Sequence, residues 1–419
     1  MSRRFAREQP LEHSGSESLP NGGILNVLVL NAGSSSLKFS LFSATEERDD
    51  PVLLLNGELS GIGSPDGTFA TGHRERVRNV ELAQWAETPV AAVGLVLDEI
   101  RRADAGHVNA VGYRVVHPGA EIRDHVRITE EILRKLEDGA GFAPLHDPDA
   151  LAMIRETIKR IPDVPHVACF DTVFHQTMPE EASIYAIPEP YRQRGVKRYG
   201  FHGLSCESVV RQMRHVGPLP SRMVVAHLGS GCSVTALRDG ESVDTTMGLT
   251  PTGGVVMGTR PGDLDPGLVL YLVRQANGQD GSDAAEKMLN HCAGMIALTG
   301  LPNDMKRIRS AAAAGNEAAI LALKIFIRSV QKAIGGFAWL MGGLDAIVFT
   351  GGIGEHDATT RAEVLAGTEV LLDPARNESK GAGIRPIAAS NAKMAVFVVP
   401  AQEDLVIALH VKHAVQANT

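Results

Sequence analysis

The sequence predicts an α/β protein built from two similar domains that face a shared cleft. Two observations support this fold class. Strand-like apolar runs are mixed with segments of helical periodicity, and one strand–turn–strand pattern occurs twice, at 24–42 and at 223–237. The spacing between the two copies is too wide for a solenoid, so it indicates a duplicated domain. The length of 419 residues is consistent with two or three domains.

The first copy begins with a near-continuous apolar run at 24–30, which is typical of a buried strand. A turn of small polar residues follows at 31–36, and residues 37–42 alternate as a second strand. The second copy has strands at 223–226 and 234–237 around a glycine-rich turn at 227–233. We expect a shorter version where the apolar run 345–350 meets the glycines of 351–355.

Three segments carry apolar residues at helical spacing, at 88–102, 149–160 and 317–341. Gly335 and Gly336 fall inside the third segment, and we expect them to interrupt it. Residues 1–23 are polar and rich in serine and glutamate, which predicts a disordered tail. Arg3 and Arg4 resemble the start of a twin-arginine signal, but no apolar stretch follows them.

Composition excludes several function classes. The formal net charge is −8, which argues against nucleic acid or an anionic membrane as the main partner. No apolar run approaches the roughly 18 residues of a membrane span. The four cysteines are far apart and form no Cys-x-x-Cys pair, which argues against zinc and disulfides and favours small buried thiols in a reducing cytoplasm: Cys169, Cys206, Cys232 and Cys292.

The glycine-rich turns are candidate phosphate sites because successive backbone N–H groups form an anion-binding concavity. Lys38 follows the first turn and would add a positive charge. The Walker A pattern and the dinucleotide-binding glycine pattern are both absent, so each turn is either a tight hairpin or a phosphate cradle.

Two arginines stand in surroundings where a charge is costly. Arg114 lies inside a predicted strand, and Arg260 lies in a loop rich in glycine and proline. Each is either a structural ion pair or a grip on a carboxylate or phosphoryl group, and in both cases we expect an anionic partner.

Acidic and histidine residues complete the candidate set. Asp171 follows a predicted strand, at the kind of strand end where ligands collect in α/β proteins. His202 lies next to Gly203 in a short polar segment, and it is either a catalytic group or a satisfied polar residue. Glu403 and Asp404 follow another strand, and both would also be favourable in the first turn of a helix.

Taken together, these residues resemble the acetate kinase family, in the superfamily of acetate and sugar kinases, heat-shock chaperones and actin. The resemblance covers about residues 25–411. The motifs that carry it are NAGSSSLKFSLF (31–42), GYRVVHPG (112–119), APLHDP (143–148), FDTVFHQTMP (170–179), RYGFHG (198–203), HLGSGCS (227–233), DTTMGLTPTGG (244–254), MGTRPGDLDPG (257–267) and FTGGIGEH (349–356).

The resemblance implies a duplicated actin-like (ribonuclease H-like) fold with the active site between the domains. One domain would comprise 24–171 with 404–419, and the other 172–403. It also implies reversible, direct in-line transfer of the ATP γ-phosphoryl group to acetate, with Mg²⁺ or Mn²⁺ as the metal. The protein would be a homodimer, with the second domain as the interface.

Residue roles follow from the same resemblance. Asn31 and Glu403 match the magnesium-associated positions, and Asp171 matches the catalytic aspartate, although a magnesium or water-shell ligand suits it better than a base. His202 and Arg260 match the stabilisers of the transition state, and Arg114 matches the acyl-substrate arginine. The alkyl pocket would contain Val116, Leu145, Phe201 and Pro251. The ATP contacts would be Lys38, His227, Leu228, Gly229, Ser230, Gly231, Asp304, Met305, Lys306, Gly352, Ile353, Gly354, Glu355 and His356.

The sequence departs from the family pattern at several positions near the expected nucleotide site. Ser230 and His356 replace asparagines, and Lys306 replaces an arginine, which loses planar stacking. Three alternatives stay open at this point. Instead of an acetate kinase, the protein would be a propionate or butyrate kinase, a non-catalytic nucleotide switch of the superfamily, or a nicotinamide dehydrogenase. The third lacks its glycine fingerprint.

Overall fold

A computed structural model describes residues 23–33, 36–64, 66–73, 76–79, 86–139, 147–276 and 281–417. Residues 1–22 of the predicted tail lie outside this part of the chain, and so does the predicted pocket residue Leu145.

The strands form two sheets. The first sheet contains β1 (Ile24–Gly33), β2 (Ser36–Thr45), β3 (Val52–Ser60), β4 (Thr68–His73), β5 (Arg76–Asn79), β6 (Ala110–Val115), β7 (Val126–Arg127) and β8 (His166–Phe170). The second contains β9 (Arg222–Leu228), β10 (Cys232–Arg238), β11 (Glu241–Thr245), β12 (Ala346–Thr350), β13 (Arg385–Pro386) and β14 (Ala395–Val398).

The helices of the described residues are α1 (Pro89–Arg102), α2 (Glu130–Gly139), α3 (Asp147–Arg160), α4 (Glu180–Ser183), α5 (Glu189–Arg192), α6 (Gly203–Val216), α7 (Pro266–Gln275), α8 (Gly281–His291), α9 (Gly294–Thr299), α10 (Met305–Ala313), α11 (Glu317–Leu340), α12 (Gly351–His356), α13 (Ala358–Leu365), α14 (Pro374–Glu378) and α15 (Glu403–Gln416). A short 3₁₀ helix spans Val173–Thr177. None of these helices is both long enough and apolar enough to cross a membrane.

The two sheets repeat one topology. The first contains the order β3-β2-β1-β6-β8, and the second contains the order β11-β10-β9-β12-β14. In each, the first two pairings are antiparallel and the last two are parallel. The predicted duplication is therefore confirmed, and the fold is a two-domain actin-like α/β fold.

The C-terminal helix α15 returns to the first sheet. Its buried face packs against β1 and β6 and includes Val406, Ile407 and Val411. Gly112 of β6 admits this contact, since a Cβ there would lie 2.6 Å from the Ile407 side chain. Because α15 packs there, its first residue, Glu403, lies beside the first sheet.

Three expectations are corrected. Helix α11 runs unbroken through Gly335 and Gly336, because these glycines face open space while Ile334 and Phe337 bury the other side. The third glycine turn begins a helix, α12, and does not return to a strand. Cys292 is exposed at the end of α8, whereas the other three thiols are buried as predicted.

Candidate functional site

A polar cleft lies between the two sheets. Its volume is about 590 Å³, and it is lined from both halves of the chain. One wall carries the adjoining ends of β1 and β2, where Asn31 and Lys38 are cross-strand partners, together with Arg114 of β6. The other wall carries the turn 229–231 between β9 and β10 and the start of α12. The described residues of the first predicted turn and the whole of the second therefore face one space.

Arg114 and Asp171 form a bidentate pair at the floor of the cleft. Nε of Arg114 donates to Oδ1 of Asp171 at 3.1 Å, and Nη2 donates to Oδ2 at 2.5 Å. The remaining nitrogen, Nη1, donates to Oδ1 of Asn31 over 3.3 Å. Asp171 is only 1% exposed, whereas Arg114 reaches the cleft. The carboxylate of Asp171 is thus held by the arginine, and Nη1 is the more weakly engaged corner of the guanidinium.

Charges at this floor are coupled. Burial lowers the pKa of Arg114, but the opposite charges of Asp171 and Glu403 outweigh it and leave the pKa raised. The Glu403 carboxylate lies 3.9 Å from Nε of Arg114. Burial raises the pKa of Glu403 to about 7 against the lowering effect of Arg114, and Asp171 and Asp404 add to the rise. Negative charge is therefore in excess around Glu403.

This donor set fits a hard divalent cation. Asn31 and Glu403 offer an amide oxygen and a carboxylate to the same cleft, and oxygen ligands are those that Mg²⁺ prefers. A cation there would offset the like charges that raise the pKa of Glu403. A different group, His125, Glu207 and His410, also gathers its ligand atoms within 4.8 Å. In that group Nδ1 of His125 already accepts the Phe170 N–H.

Arg260 contradicts the expectation of an anionic partner. Nη1 donates to the carbonyl of Pro251 at 2.8 Å and lies 3.7 Å from the sulfur of Met257. No carboxylate pairs with it among the described residues. Burial and the neighbouring Arg114 lower its pKa. A cation held in this way is prepared for an anion that arrives from solution.

Two stacked histidines face the glycine turns. The rings of His202 and His227 lie 4.1 Å apart at 23°. His202 precedes α6 with a left-handed φ of 59°, and burial together with nearby positive groups holds its pKa well below the usual range. A Cβ on Gly231 would lie 3.3 Å from Nε2 of His202 and 3.5 Å from Nη1 of Arg260. Glycine at this position therefore keeps both donors close to the turn.

Some of the expected nucleotide residues of the second half line the cleft and others do not. Gly229, Ser230, Gly231, Gly352 and Glu355 line the cleft. Leu228 is fully buried in the core of the second sheet, so only its backbone is available to a ligand. Ile353, Gly354 and His356 belong to α12 but are not part of the cleft lining.

Glu355 lines the cleft, but one of its carboxylate oxygens is already held by the backbone. Its Oε1 accepts from the backbone N–H groups of Gly351 at 3.1 Å and Ala401 at 3.0 Å. It thus ties the glycine turn of the second half to the segment that leads into Glu403.

The segment 304–306 forms the start of α10. Asp304 is the N-cap and accepts from the backbone N–H of Lys306 at 2.8 Å, so its carboxylate already has a structural partner. Met305 and Lys306 follow it and lie outside the cleft lining. Asn303 reaches Ser230 with a 2.8 Å hydrogen bond, which joins this segment to the β9–β10 turn.

The predicted alkyl pocket is only partly visible. Val116 packs against the apolar cluster that contains Phe201, and Pro251 contributes the carbonyl that Arg260 binds. Phe201 is 1% exposed, so its ring is part of a closed core in this structure.

Sequence reasoning missed several residues of the site. Gln402 lines the cleft beside Glu403, as does Asp404, which the sequence analysis had named without giving it a role. Ser40, also missed, donates to Asp404 at 2.6 Å. Ser205 and Ser233 contact the two stacked histidines. Ser233 closes the HLGSGCS motif and Ser205 follows RYGFHG, so proximity to those motifs was the available signal.

Comparisons with known proteins agree with this geometry. The model of the Acetokinase family matches residues 26–409. An acetate kinase of Geobacillus kaustophilus is 40% identical over 396 residues, which cover 91% of this chain and 97% of the relative. An acetate kinase of Nitrobacter hamburgensis is 40% identical, with 92% and 95% covered.

Two solved structures are also similar. An acetate kinase from Porphyromonas gingivalis has 32% identity and a TM-score of 0.80, with 93% of this chain and all of that chain covered. A propionate kinase from Francisella tularensis has 33% identity and a TM-score of 0.83, with 93% and 99% covered.

Proposed function

The chain belongs to the acetokinase family and is a kinase that phosphorylates a carboxylate, and we propose that its acceptor is acetate. The reaction is reversible transfer of the γ-phosphoryl group of ATP to acetate, which gives acetyl phosphate and ADP. The observation that carries this proposal is a pair of guanidinium groups at the cleft. Arg114 lines the cleft and offers the weakly engaged Nη1, and Arg260, which lies beside the lining residue Gly231, has no carboxylate partner among the described residues.

The acceptor needs no strong base. Acetate is ionised at neutral pH and already carries the nucleophilic oxygen, so catalysis consists mainly of positioning and charge stabilisation. Asp171 is committed to Arg114 by two hydrogen bonds, and its role is to orient that guanidinium. Arg114 places the carboxylate, while Arg260 and His202 stabilise charge on the phosphoryl group in flight.

The divalent metal is Mg²⁺ in this proposal, with Mn²⁺ as the alternative. Asn31 and Glu403 would hold it, because both residues line the cleft together with Lys38 and carry oxygen ligands. When bound, the metal supplies positive charge to the phosphate oxygens of the nucleotide. Backbone N–H groups of Ser230, Gly231 and Gly352 bind the phosphates, whereas the N–H of Gly229 already donates to the Gly231 carbonyl.

We further propose a cytoplasmic homodimer with domains at 24–171 plus 404–419 and at 172–403. The second domain is the proposed interface. Its long helix α11 leaves Trp339 91% and Leu340 59% exposed, and large apolar side chains of this kind are typical of a protein–protein contact. Size-exclusion chromatography with light scattering would give the mass directly.

Acid selectivity tests the proposal. We would trap the acyl phosphate with hydroxylamine in the presence of acetate, propionate and butyrate, using ATP and Mg²⁺. The expected order of kcat/KM is acetate first and propionate second. Burial of one CH₂ group changes the binding free energy by only about 0.8 kcal/mol, so we expect the selectivity among the three acids to be modest. A clear preference for propionate would support the alternative that the Francisella tularensis structure represents. Nucleotide binding without acyl phosphate from any acid would support a nucleotide switch.

A further inference from the structure

Three buried serine hydroxyls contact histidine rings at or beside the cleft. Ser242 Oγ lies 2.9 Å from Nδ1 of His175. Ser233 Oγ lies 3.0 Å from Nδ1 of His202, and Ser205 Oγ lies 2.8 Å from Nδ1 of His227. In all three pairs the hydroxyl meets Nδ1, and Nε2 is the nitrogen that points away from the serine.

The His175 pair fixes the direction of its own hydrogen bonds. Nε2 lies 3.0 Å from the carbonyl oxygen of Phe201, and a carbonyl only accepts, so Nε2 carries the proton. Burial lowers the pKa of His175 to about 4, so the ring is neutral at pH 7 and Nδ1 has a free lone pair. Ser242 therefore donates its O–H to Nδ1.

The same reasoning applies to His202. Ser233 is fully buried, and Nδ1 of His202 is the one hydrogen-bond partner of its hydroxyl among the described residues. A buried O–H without an acceptor costs more than a spare lone pair, so the hydroxyl donates. Nδ1 then accepts, and Nε2 of the neutral ring carries the hydrogen. Nε2 lies beside Gly231, in the wall of the cleft.

His227 is arranged in the same way on the other side of the stacked pair. Ser205 is fully buried, and its hydroxyl meets Nδ1 of His227. Nε2 of His227 would lie 3.1 Å from a Cβ on Gly351 and 3.7 Å from one on Gly229. This ring nitrogen thus faces the two glycine turns that line the second wall.

We propose that Ser233 and Ser205 are positioning residues that hold His202 and His227 as neutral rings with hydrogen on Nε2. The two Nε2–H groups then donate to phosphate oxygens of the nucleotide and of the phosphoryl group in transfer. The opposite tautomer would aim a lone pair at those anions and repel them. The donor role toward phosphate rests on the proposed function, because that function supplies the ligand. The assignment of the two tautomers does not depend on it.

Electrostatics explain why neutral donors suit this wall. Burial lowers the pKa of His202, and His227, Arg114 and Arg260 lower it further. Burial and Arg114 likewise lower the pKa of His227 to about 4, against an opposing effect of Asp171. A hydrogen-bond donor without net charge is not repelled by these arginines, and a single serine hydroxyl is enough to orient it.

The direct test is the protonation state of the ring nitrogens in the ligand-free protein. We would label histidine with ¹⁵N and record ring nitrogen-to-carbon-proton correlations at pH 7. The His202 and His227 signals would be assigned by their loss in His202→Gln and His227→Gln. We expect both rings to be neutral with hydrogen on Nε2. Hydrogen on Nδ1, or a doubly protonated ring, would overturn the proposal, and neither outcome depends on the substrate.

Kinetics of Ser233→Ala supply the functional readout. Losing one neutral hydrogen bond that holds the donor should lower kcat roughly fivefold to tenfold, with little change in KM for ATP. Thr235→Val is the matched control, because it removes a buried hydroxyl of the same strand that contacts Thr245 and no histidine. We expect Thr235→Val to keep its kcat. A wild-type kcat and an unchanged His202 spectrum in Ser233→Ala would overturn the role of the serine. Correct tautomers without acyl phosphate formation by the wild-type protein would instead contradict the proposed function.

Discussion

Removal of Arg114 should destabilise the protein far more than removal of Arg260, and the two removals should also change the rate parameters differently. Asp171 is 1% exposed and accepts two hydrogen bonds from Arg114. Arg114→Ala leaves that carboxylate buried without its cation, which should cost about 3–5 kcal/mol in the free energy of unfolding. Arg260 has no such partner among the described residues, so Arg260→Ala loses one hydrogen bond to the Pro251 carbonyl and should change stability by only about 1 kcal/mol.

The rates separate the two arginines further. If Arg260 meets the transferring phosphoryl group, Arg260→Ala should lower kcat by about 10²–10³ and change the KM for acetate less. If Arg114 holds the carboxylate before transfer, Arg114→Ala should raise that KM as well as lower kcat. Lysine at either position should restore little, because it lacks the planar two-pronged donor.

Urea unfolding and initial rates on the same preparations provide the assay. The double variant Arg114→Ala/Asp171→Asn is the control, because it removes the stranded charge and should recover stability without recovering activity. Folded Arg260→Ala with near-normal kcat would refute the assignment of Arg260. Full stability of Arg114→Ala would refute the account of the Asp171 pair.

Three further predictions concern closure of the cleft, the contacts of Glu355 with Gly351 and Ala401, and acid sensitivity. If both walls of the cleft bind phosphate as proposed, the radius of gyration from small-angle scattering should fall with ADP, Mg²⁺ and acetate, and no change would count against closure. Glu355→Gln should raise the KM for ATP several-fold by loosening Gly351 and Ala401, an effect measurable in initial rates and absent if the carboxylate is only a surface charge. Burial lowers the pKa of His175 to about 4, so the unfolded chain takes up the extra proton below pH 6.5 and stability is lost as pH falls toward 4. His175→Gln should lessen the drop in unfolding free energy between pH 7.5 and 5.5 by about 1 kcal/mol in urea unfolding, and a drop as large as that of the unsubstituted protein would contradict this.

Local sequence signals were sufficient for the repeated hairpins and for the placement of Arg114 and Asp171. Apolar runs specify buried strands, and the residue after such a strand falls at the sheet edge, where Asp171 lies. The pairing of Asp171 with Arg114 joins residues 57 positions apart. Only the parallel register of β6 with β8 brings them together.

Other features depend on tertiary context that no short motif contains. Gly335 and Gly336 lower helix propensity, yet the buried face of α11 outweighs them. We expected Arg260 to pair with an acidic side chain, because an unpaired buried charge is unfavourable. In the structure it contacts the Pro251 carbonyl, so a bound anion would supply the missing negative charge. The contacts of Ser205 and Ser233 with histidine rings arise from the packing of α6 against β9 and β10, so they could not be predicted from spacing.

The central claim is that one cleft passes the phosphoryl group directly from nucleotide to carboxylate. The stereochemistry at phosphorus tests it most directly, using ATP whose γ-phosphorus is made chiral with three oxygen isotopes. A single displacement across the cleft predicts inverted configuration in the acetyl phosphate formed. Retained configuration would require two displacements through a phosphorylated residue of the protein, and it would contradict the account.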